Sequence, residues 1–182
     1  MTIRYQTTFR DMLAFGLYHY PRSPIILGTY AVVVCFISWD AARSFPADMS
    51  GFAQAIVMLF VAATGSLIYT GVLAMVFVLG MLSRRNQTFL TEHAITVGAA
   101  FFVEETPYNR TEYNWLAVQK LARTKRYLFI YISQNAAHVI PRRAFASDAD
   151  WQAFYAVCQQ ATEPLVKSKR RPGRVSHPGN IE

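Results

Sequence analysis

Charge is scarce in this chain. Only 16% of its 182 residues are Asp, Glu, Lys or Arg, whereas a soluble domain carries about 25%. Hydrophobic residues reach 53% and mean hydropathy is +0.17. That balance excludes intrinsic disorder over most of the chain and argues against a simple soluble enzyme. Cysteine is scarcer still. Cys35 and Cys158 lie far apart, make no disulfide framework, and have no metal-type neighbours. They read as apolar core or lipid-facing thiols.

Catalytic signatures are also missing. His19, His93, His138 and His177 are scattered, with no HExxH and no His/Cys pair at metal spacing. There is no Gly-rich phosphate loop and no G-x-S-x-G elbow. Glu104-Glu105 is the sole adjacent acid pair, and successive strand residues point to opposite faces, so it makes a poor acid/base couple. His138, beside Val139 and Ile140, reads as a packed or surface histidine. The expectation is a protein without catalytic residues, metal or cofactor. Aromatics do not interleave with a basic stripe, so nucleic acid is not expected as a partner.

The longest absence is that of charge between Met49 and Ser83. Such a stretch would be about 50 Å long as a helix, against a hydrocarbon core of about 30 Å. It predicts a membrane span near residues 55–80. Ser23-Pro24 reads as a helix start, and the uncharged run Ile25–Trp39 that follows predicts a span over residues 24–43. Trp39 suits the headgroup level, and Asp40 beside Arg43 reads as an interfacial pair. The flank before this span is too long, and carries Asp11, for a signal peptide. Arg4, Arg10, Arg22, Arg84 and Arg85 lie on one side of the resulting hairpin. The expectation is therefore a multi-pass membrane protein with both termini cytoplasmic. Ala62, Ser66, Thr70 and Ala74 recur every four residues, a spacing that lets helix backbones approach closely in lipid. The stripe reads as hairpin packing or as a homodimer contact.

Net charge is +7, and it is uneven: residues 84–182 hold 14 Lys/Arg against 8 Asp/Glu. A basic half joined to an apolar half points to anionic membrane lipids. Beyond Arg85, short β-rich runs appear at 94–97, 100–105, 110–115, 118–123, 127–133 and 137–140. Even spacing of this kind predicts a meander or partial barrel. Ser147, with Asp148 and Asp150, starts a closing helix whose Trp151, Phe154, Tyr155 and Cys158 share one face. Pro164 is expected to end it. Thr2–Thr8 alternates as a strand and, being on the cytoplasmic side, is expected to join that sheet. Phe9–Tyr20 reads as an interfacial helix. The tail, with Lys167, Lys169, Arg170, Arg171 and Arg174, is expected to be disordered.

Four stretches stand out together: Leu17-Tyr18-His19-Tyr20 with Ser23-Pro24, Tyr113-Asn114-Trp115, Tyr127 to Ser133 and, clearest of all, Ala137-His138-Val139-Ile140-Pro141-Arg142-Arg143-Ala144-Phe145. With them the chain resembles the YcxB-like family of bacterial membrane proteins. The resemblance implies that the expected hairpin lies in the bacterial plasma (inner) membrane. The resemblance implies a soluble part similar to a pleckstrin-homology (PH)-like β-barrel or sheet capped by a C-terminal helix. It implies no activity and no catalytic residues. The expected organisation is thus α+β: residues 1–23 as strand and interfacial helix, 24–83 as membrane hairpin, 84–163 as cytoplasmic PH-like domain, 164–182 as basic tail. Lys120, Arg123, Lys125 and Arg126 around one hairpin, with Arg142 and Arg143 after Pro141, form the candidate lipid- or partner-binding surface. The expected function is binding or regulation at the membrane, through anionic lipid headgroups or an unknown protein partner. The rivals are an oligomeric transporter or exporter subunit and an enzyme with an unrecognised site.

Overall fold

The computed structural model describes residues 1–83 and 89–169. In chain order its elements are β1 (Thr2–Gln6), α1 (Phe9–His19), α2 (Pro24–Arg43), α3 (Gly51–Leu82), β2 (Glu92–Val97), β3 (Phe101–Glu105), β4 (Arg110–Asn114), β5 (Lys120–Arg123), β6 (Tyr127–Tyr131), β7 (Ala137–Pro141) and α4 (Asp148–Lys169). They divide into two compact units, residues 1–6 with those from 92 onward, and residues 7–91.

The first unit is built from two antiparallel sheets, β1-β2-β3-β4 and β5-β6-β7. Strand alternation sets the inward face: Ile3 and Tyr5 lie opposite Ile95 and His93, Val97 opposite Phe102, and Phe102 opposite Tyr113. Leu128 and Ile130 of β6 and Ile140 of β7 are fully buried and join the same core. Phe129, on the other face of β6, is buried as well. A central strand apolar on both faces is what residues 127–132 predict. The α4 helix seals the core with Trp151, Phe154 and Cys158, all essentially inaccessible. Burying each such large apolar side chain contributes about 1.5–3 kcal/mol. Burial also pushes the Cys158 thiol up to about 12.

The N-terminal strand does pair with the C-terminal sheet, as β1 against β2. Of the barrel-or-sheet expectation the sheet alternative is what is seen: two antiparallel sheets that form no closed barrel among the described residues. A 3-10 turn at Trp115–Ala117 separates β4 from β5. There the Asn114 side chain accepts a hydrogen bond from the Leu116 amide at 2.8 Å, and the Trp115 indole donates to the Gly98 carbonyl at 2.9 Å. The ladder ends where these groups take over the backbone's partners. A correction concerns α4, which continues past Pro164 to Lys169. A proline removes one amide donor, and its cost does not forbid the helix from resuming. Residues 170–182, with Arg170, Arg171 and Arg174 of the basic tail, lie outside the described residues, as do Arg84 and Arg85.

In the second unit α1 starts on a buried acid. The Asp11 carboxylate accepts from the Thr8 amide at 2.7 Å and from the Thr8 hydroxyl at 2.8 Å, closing the first turn. The α2 and α3 helices are long and apolar enough to cross a membrane. None of α2 is buried, and Gly65 is the buried residue of α3. A Cβ at Gly65 would lie 3.5 Å from Cδ1 of Ile37, so the two backbones approach closely there. Asp40 and Arg43 form no ion pair among the described residues, and Ser44 instead bonds the Asp40 carbonyl at 3.2 Å.

Candidate functional site

The β5–β6 turn is held by Thr124. Its amide donates to the Tyr127 carbonyl at 2.8 Å. Its hydroxyl oxygen accepts from the Tyr127 amide at 3.0 Å and the Arg126 amide at 3.3 Å. This local bonding puts Lys125 and Arg126 at an exposed tip. The strand β7 ends at Pro141, and a 3-10 turn, Arg142–Ala144, carries the chain to Phe145. Phe145 is anchored against the rings of Trp151 and Phe154, at 5.1 and 5.2 Å. The Arg142 amide donates to the Arg126 carbonyl at 2.8 Å, so turn and corner are stitched together.

As a result Lys125, Arg126, Arg142 and Arg143 surround one cavity of about 430 Å³, whose wall is completed by Tyr127, Pro141, Phe145 and Asp148. A neighbouring cavity of about 700 Å³ is lined by Arg123, Lys125, Arg142, Asp148, Trp151 and Tyr155. Arg142 donates from Nε to Oδ1 of Asp148 at 2.9 Å, and its Nη2 bonds the same oxygen. Arg143 donates to the Gln6 carbonyl at 3.0 Å. Arg123 stacks over Tyr155 at 4.5 Å and Trp151 at 5.3 Å. Lys125 and Arg126 have no ion-pair partner among the described residues. Lys120 stands apart from both cavities, over the Tyr131 ring at 5.6 Å. It sits at the other end of the β5–β6 hairpin, where Lys120 is in register with Tyr131.

A second polar cluster brings Glu104 and His138, two of the residues whose gathering in a pocket would favour the enzyme rival, together with His93, which the sequence did not single out. Oε1 of Glu104 accepts from Nδ1 of His93 at 2.9 Å and from Nδ1 of His138 at 3.1 Å. All three side chains are mostly buried. Burial raises the Glu104 carboxyl, but the hydrogen bonds and charge of His138 and His93 outweigh it and bring it from 4.5 to about 2. Burial, with the Glu104 charge, raises the Tyr113 hydroxyl. Tyr5 stacks on His93 at 5.8 Å, and Phe102 and Tyr113 meet His138 edge-on at 5.2 and 4.8 Å. Nε2 of His138 is buried without a partner among the described residues. No group of His, Cys, Asp and Glu among the described residues is arranged to hold a metal ion. The signal available in the sequence was strand parity: His93 shares a face with Ile95, and Glu104 with Phe102, so each is the polar member of an inward row. Asp150 is not part of this cluster; it receives a bond from the Ser147 hydroxyl at 2.7 Å.

The small-residue stripe of α3 divides. Ala62 and Ser66 are partly covered, and Ser66 shares a hydrogen bond with the Tyr30 hydroxyl of α2 at 2.7 Å. Thr70 and Ala74 are exposed and line an apolar groove of about 400 Å³ with Tyr20, Leu27, Leu73 and Phe77. Tyr69 completes the hairpin contact, bonding Thr29 at 2.7 Å and the Ile26 carbonyl at 3.2 Å.

Residues 97–158 match the model of a family described as YcxB-like protein. The matched segment runs from the last residue of β2 into α4 and contains both basic turns, Glu104 and His138. It does not include β1, α2 or α3. No curated protein and no solved structure matches the chain.

Proposed function

We propose that this chain is a membrane-anchored binding or regulatory protein. In this reading α2 and α3 cross the bacterial plasma membrane as a hairpin, with both termini cytoplasmic. The sheet unit is a PH-like domain whose basic surface recognises a protein partner or anionic lipid headgroups. The observation that carries the reading is the convergence of Lys125, Arg126, Arg142 and Arg143 on one cavity, from a turn and a corner distant in sequence. Two of these cations, Lys125 and Arg126, pair with no carboxylate among the described residues, which leaves their charge available to an outside anion.

The test is extraction of the full chain with its surrounding lipid into discs, followed by mass spectrometry of what co-purifies. A stoichiometric protein partner or enriched anionic lipid, lost when Lys125 and Arg126 are both changed to Gln, is the expected result. Retention of every partner and lipid in that variant would sink the reading.

A further inference from the structure

The Arg142–Asp148 pair and Lys125 border both basic cavities, so together they form the partition between the two. The partition is not deeply built. The side chains of Arg142 and Asp148 are 44% and 70% exposed, and an ion pair that open to water contributes little to stability. Two nitrogens of Arg142 converge on a single oxygen of Asp148. An arginine fork bonds two oxygens side by side when the geometry is bidentate, and phosphate offers three such oxygens with more charge than a carboxylate. Around the same space stand Lys125 and Arg126, which have no ion-pair partner among the described residues, and Arg143.

Size narrows the ligand further. A cavity of about 430 Å³ falls in the range of small-molecule sites, about 300–1,000 Å³. It exceeds what a bare phosphate fills, and its wall of Tyr127, Pro141 and Phe145 is apolar. Such a wall suits a short organic body carried by the phosphate.

We propose that this cavity binds the phosphate of a compact organic phosphate, and that Asp148 is an internal stand-in which the phosphate displaces from Arg142. Displacement joins the two cavities into one basic groove. The inference rests on the proposed reading of this surface as an anion-recognition site and adds its ligand chemistry and its latch. The free ligand and a lipid headgroup such as phosphatidic acid present the same phosphomonoester.

The full chain in phosphatidylcholine discs is titrated with glycerol 3-phosphate and with inorganic phosphate, and the titration is repeated in discs containing phosphatidic acid. Glycerol 3-phosphate is expected to bind saturably and more tightly than inorganic phosphate. Asp148→Asn frees Arg142 and is expected to tighten binding about threefold or more, while neutralising Lys125 and Arg126 together weakens it about tenfold, in line with the strength of charge-assisted bonds. Asp150→Asn removes the same charge from the same helical turn without touching Arg142, and is expected to change little. In Arg142→Gln the Asp148→Asn gain disappears, because the two residues act through one contact. Asp148→Ser, which also suits the first helical turn, gives the same gain if the asparagine variant folds poorly.

Equal gains from Asp148→Asn and Asp150→Asn would reduce the effect to bulk charge and overturn the latch. Absence of saturable binding to all probes overturns the ligand. Binding confined to phosphatidic acid discs, and still sensitive to Asp148, assigns the phosphate to a lipid. Anionic-lipid or protein association that needs Lys125 and Arg126 but ignores Asp148 overturns this inference and leaves the broader reading standing.

Discussion

His138 and Glu104 meet across the core of the sheet unit, Nδ1 to Oε1 at 3.1 Å, and so tie β7 of the three-stranded sheet to β3 of the four-stranded one. The same oxygen takes His93 from β2, at 2.9 Å. One carboxylate therefore fixes the relative placement of three strands in two sheets. Buried hydrogen bonds to a charged group are worth about 1.5–3 kcal/mol, and an orphaned partner costs as much.

The first prediction concerns acid. The Glu104 carboxyl is depressed from 4.5 to about 2 in the folded chain. A depressed carboxyl contributes stability above its unfolded value, and the contribution is lost as pH falls from near 4.5 towards 2. Chemical unfolding of the disc-embedded chain, followed by tryptophan fluorescence, is expected to show that loss over the same window. Glu104→Gln should be less stable than the parent at pH 7 by roughly 1–3 kcal/mol. The difference should shrink at pH 3. A constant difference at both values would contradict the assignment.

Lys120 and Lys125 offer an internal contrast. They share a hairpin, yet only Lys125 borders the basic cavities. Lys125→Gln is expected to weaken binding of anionic vesicles several-fold, and Lys120→Gln to leave it within twofold, a ratio set by about 1 kcal/mol per cation near an anionic surface. Flotation of vesicles at two salt concentrations measures both. Equal effects would mean that the surface acts as diffuse charge.

Gly65 and Ser66 predict an order of damage in the hairpin. Gly65→Leu drives new atoms into Ile37, which lies 3.5 Å from where a Cβ would stand. Overpacking of that kind costs about 1–3 kcal/mol. Ser66→Ala removes the Tyr30 partner at 2.7 Å, and hydrogen bonds between helices in lipid average about 0.6 kcal/mol. Thermal unfolding in lipid discs is expected to rank Gly65→Leu below Ser66→Ala, and both below the parent. The reverse order would contradict the observed contact face.

Cys158 is buried with its thiol pushed up to about 12. In a Cys35→Ala background it is expected to resist maleimide at pH 7.5 until the chain is unfolded, since the thiolate is the reactive form. Rapid labelling of the native protein would show that α4 does not seal the core.

Much of the fold was legible because it rests on local periodicity. The uncharged run from Met49 to Ser83, the alternation of β1, and the Trp151, Phe154, Cys158 stripe each name their own element. The basic cavity was half legible. Both arginine clusters stood out in the sequence, but the bond from the Arg142 amide to the Arg126 carbonyl that brings them together is a property of sheet register. Lys120 looked equivalent to Lys125 because spacing along a hairpin does not reveal which end meets the β7 corner. The Glu104 cluster was hidden for the same reason. His93 and Glu104 come from adjacent strands and His138 from another sheet, so no motif spans them. The continuation of α4 beyond Pro164 reflects the difference between a penalty and a prohibition.

The pairing of Gln6 with Glu92, followed at once by the bond from the Thr7 amide to the Thr91 carbonyl at 3.0 Å, places residues 7–91 between two touching ends. This arrangement dictates an order of assembly. During synthesis β1 leaves the ribosome well before β2, and it has no partner until both apolar helices have been made. The four-stranded sheet is therefore completed only after both helices have been made. A chain whose β1 is kept from returning across those helices leaves the β2 edge bare, and a bare edge is what proteases and aggregation recognise. The split sheet thereby couples survival of the folded unit to completion of the helical insertion that interrupts it.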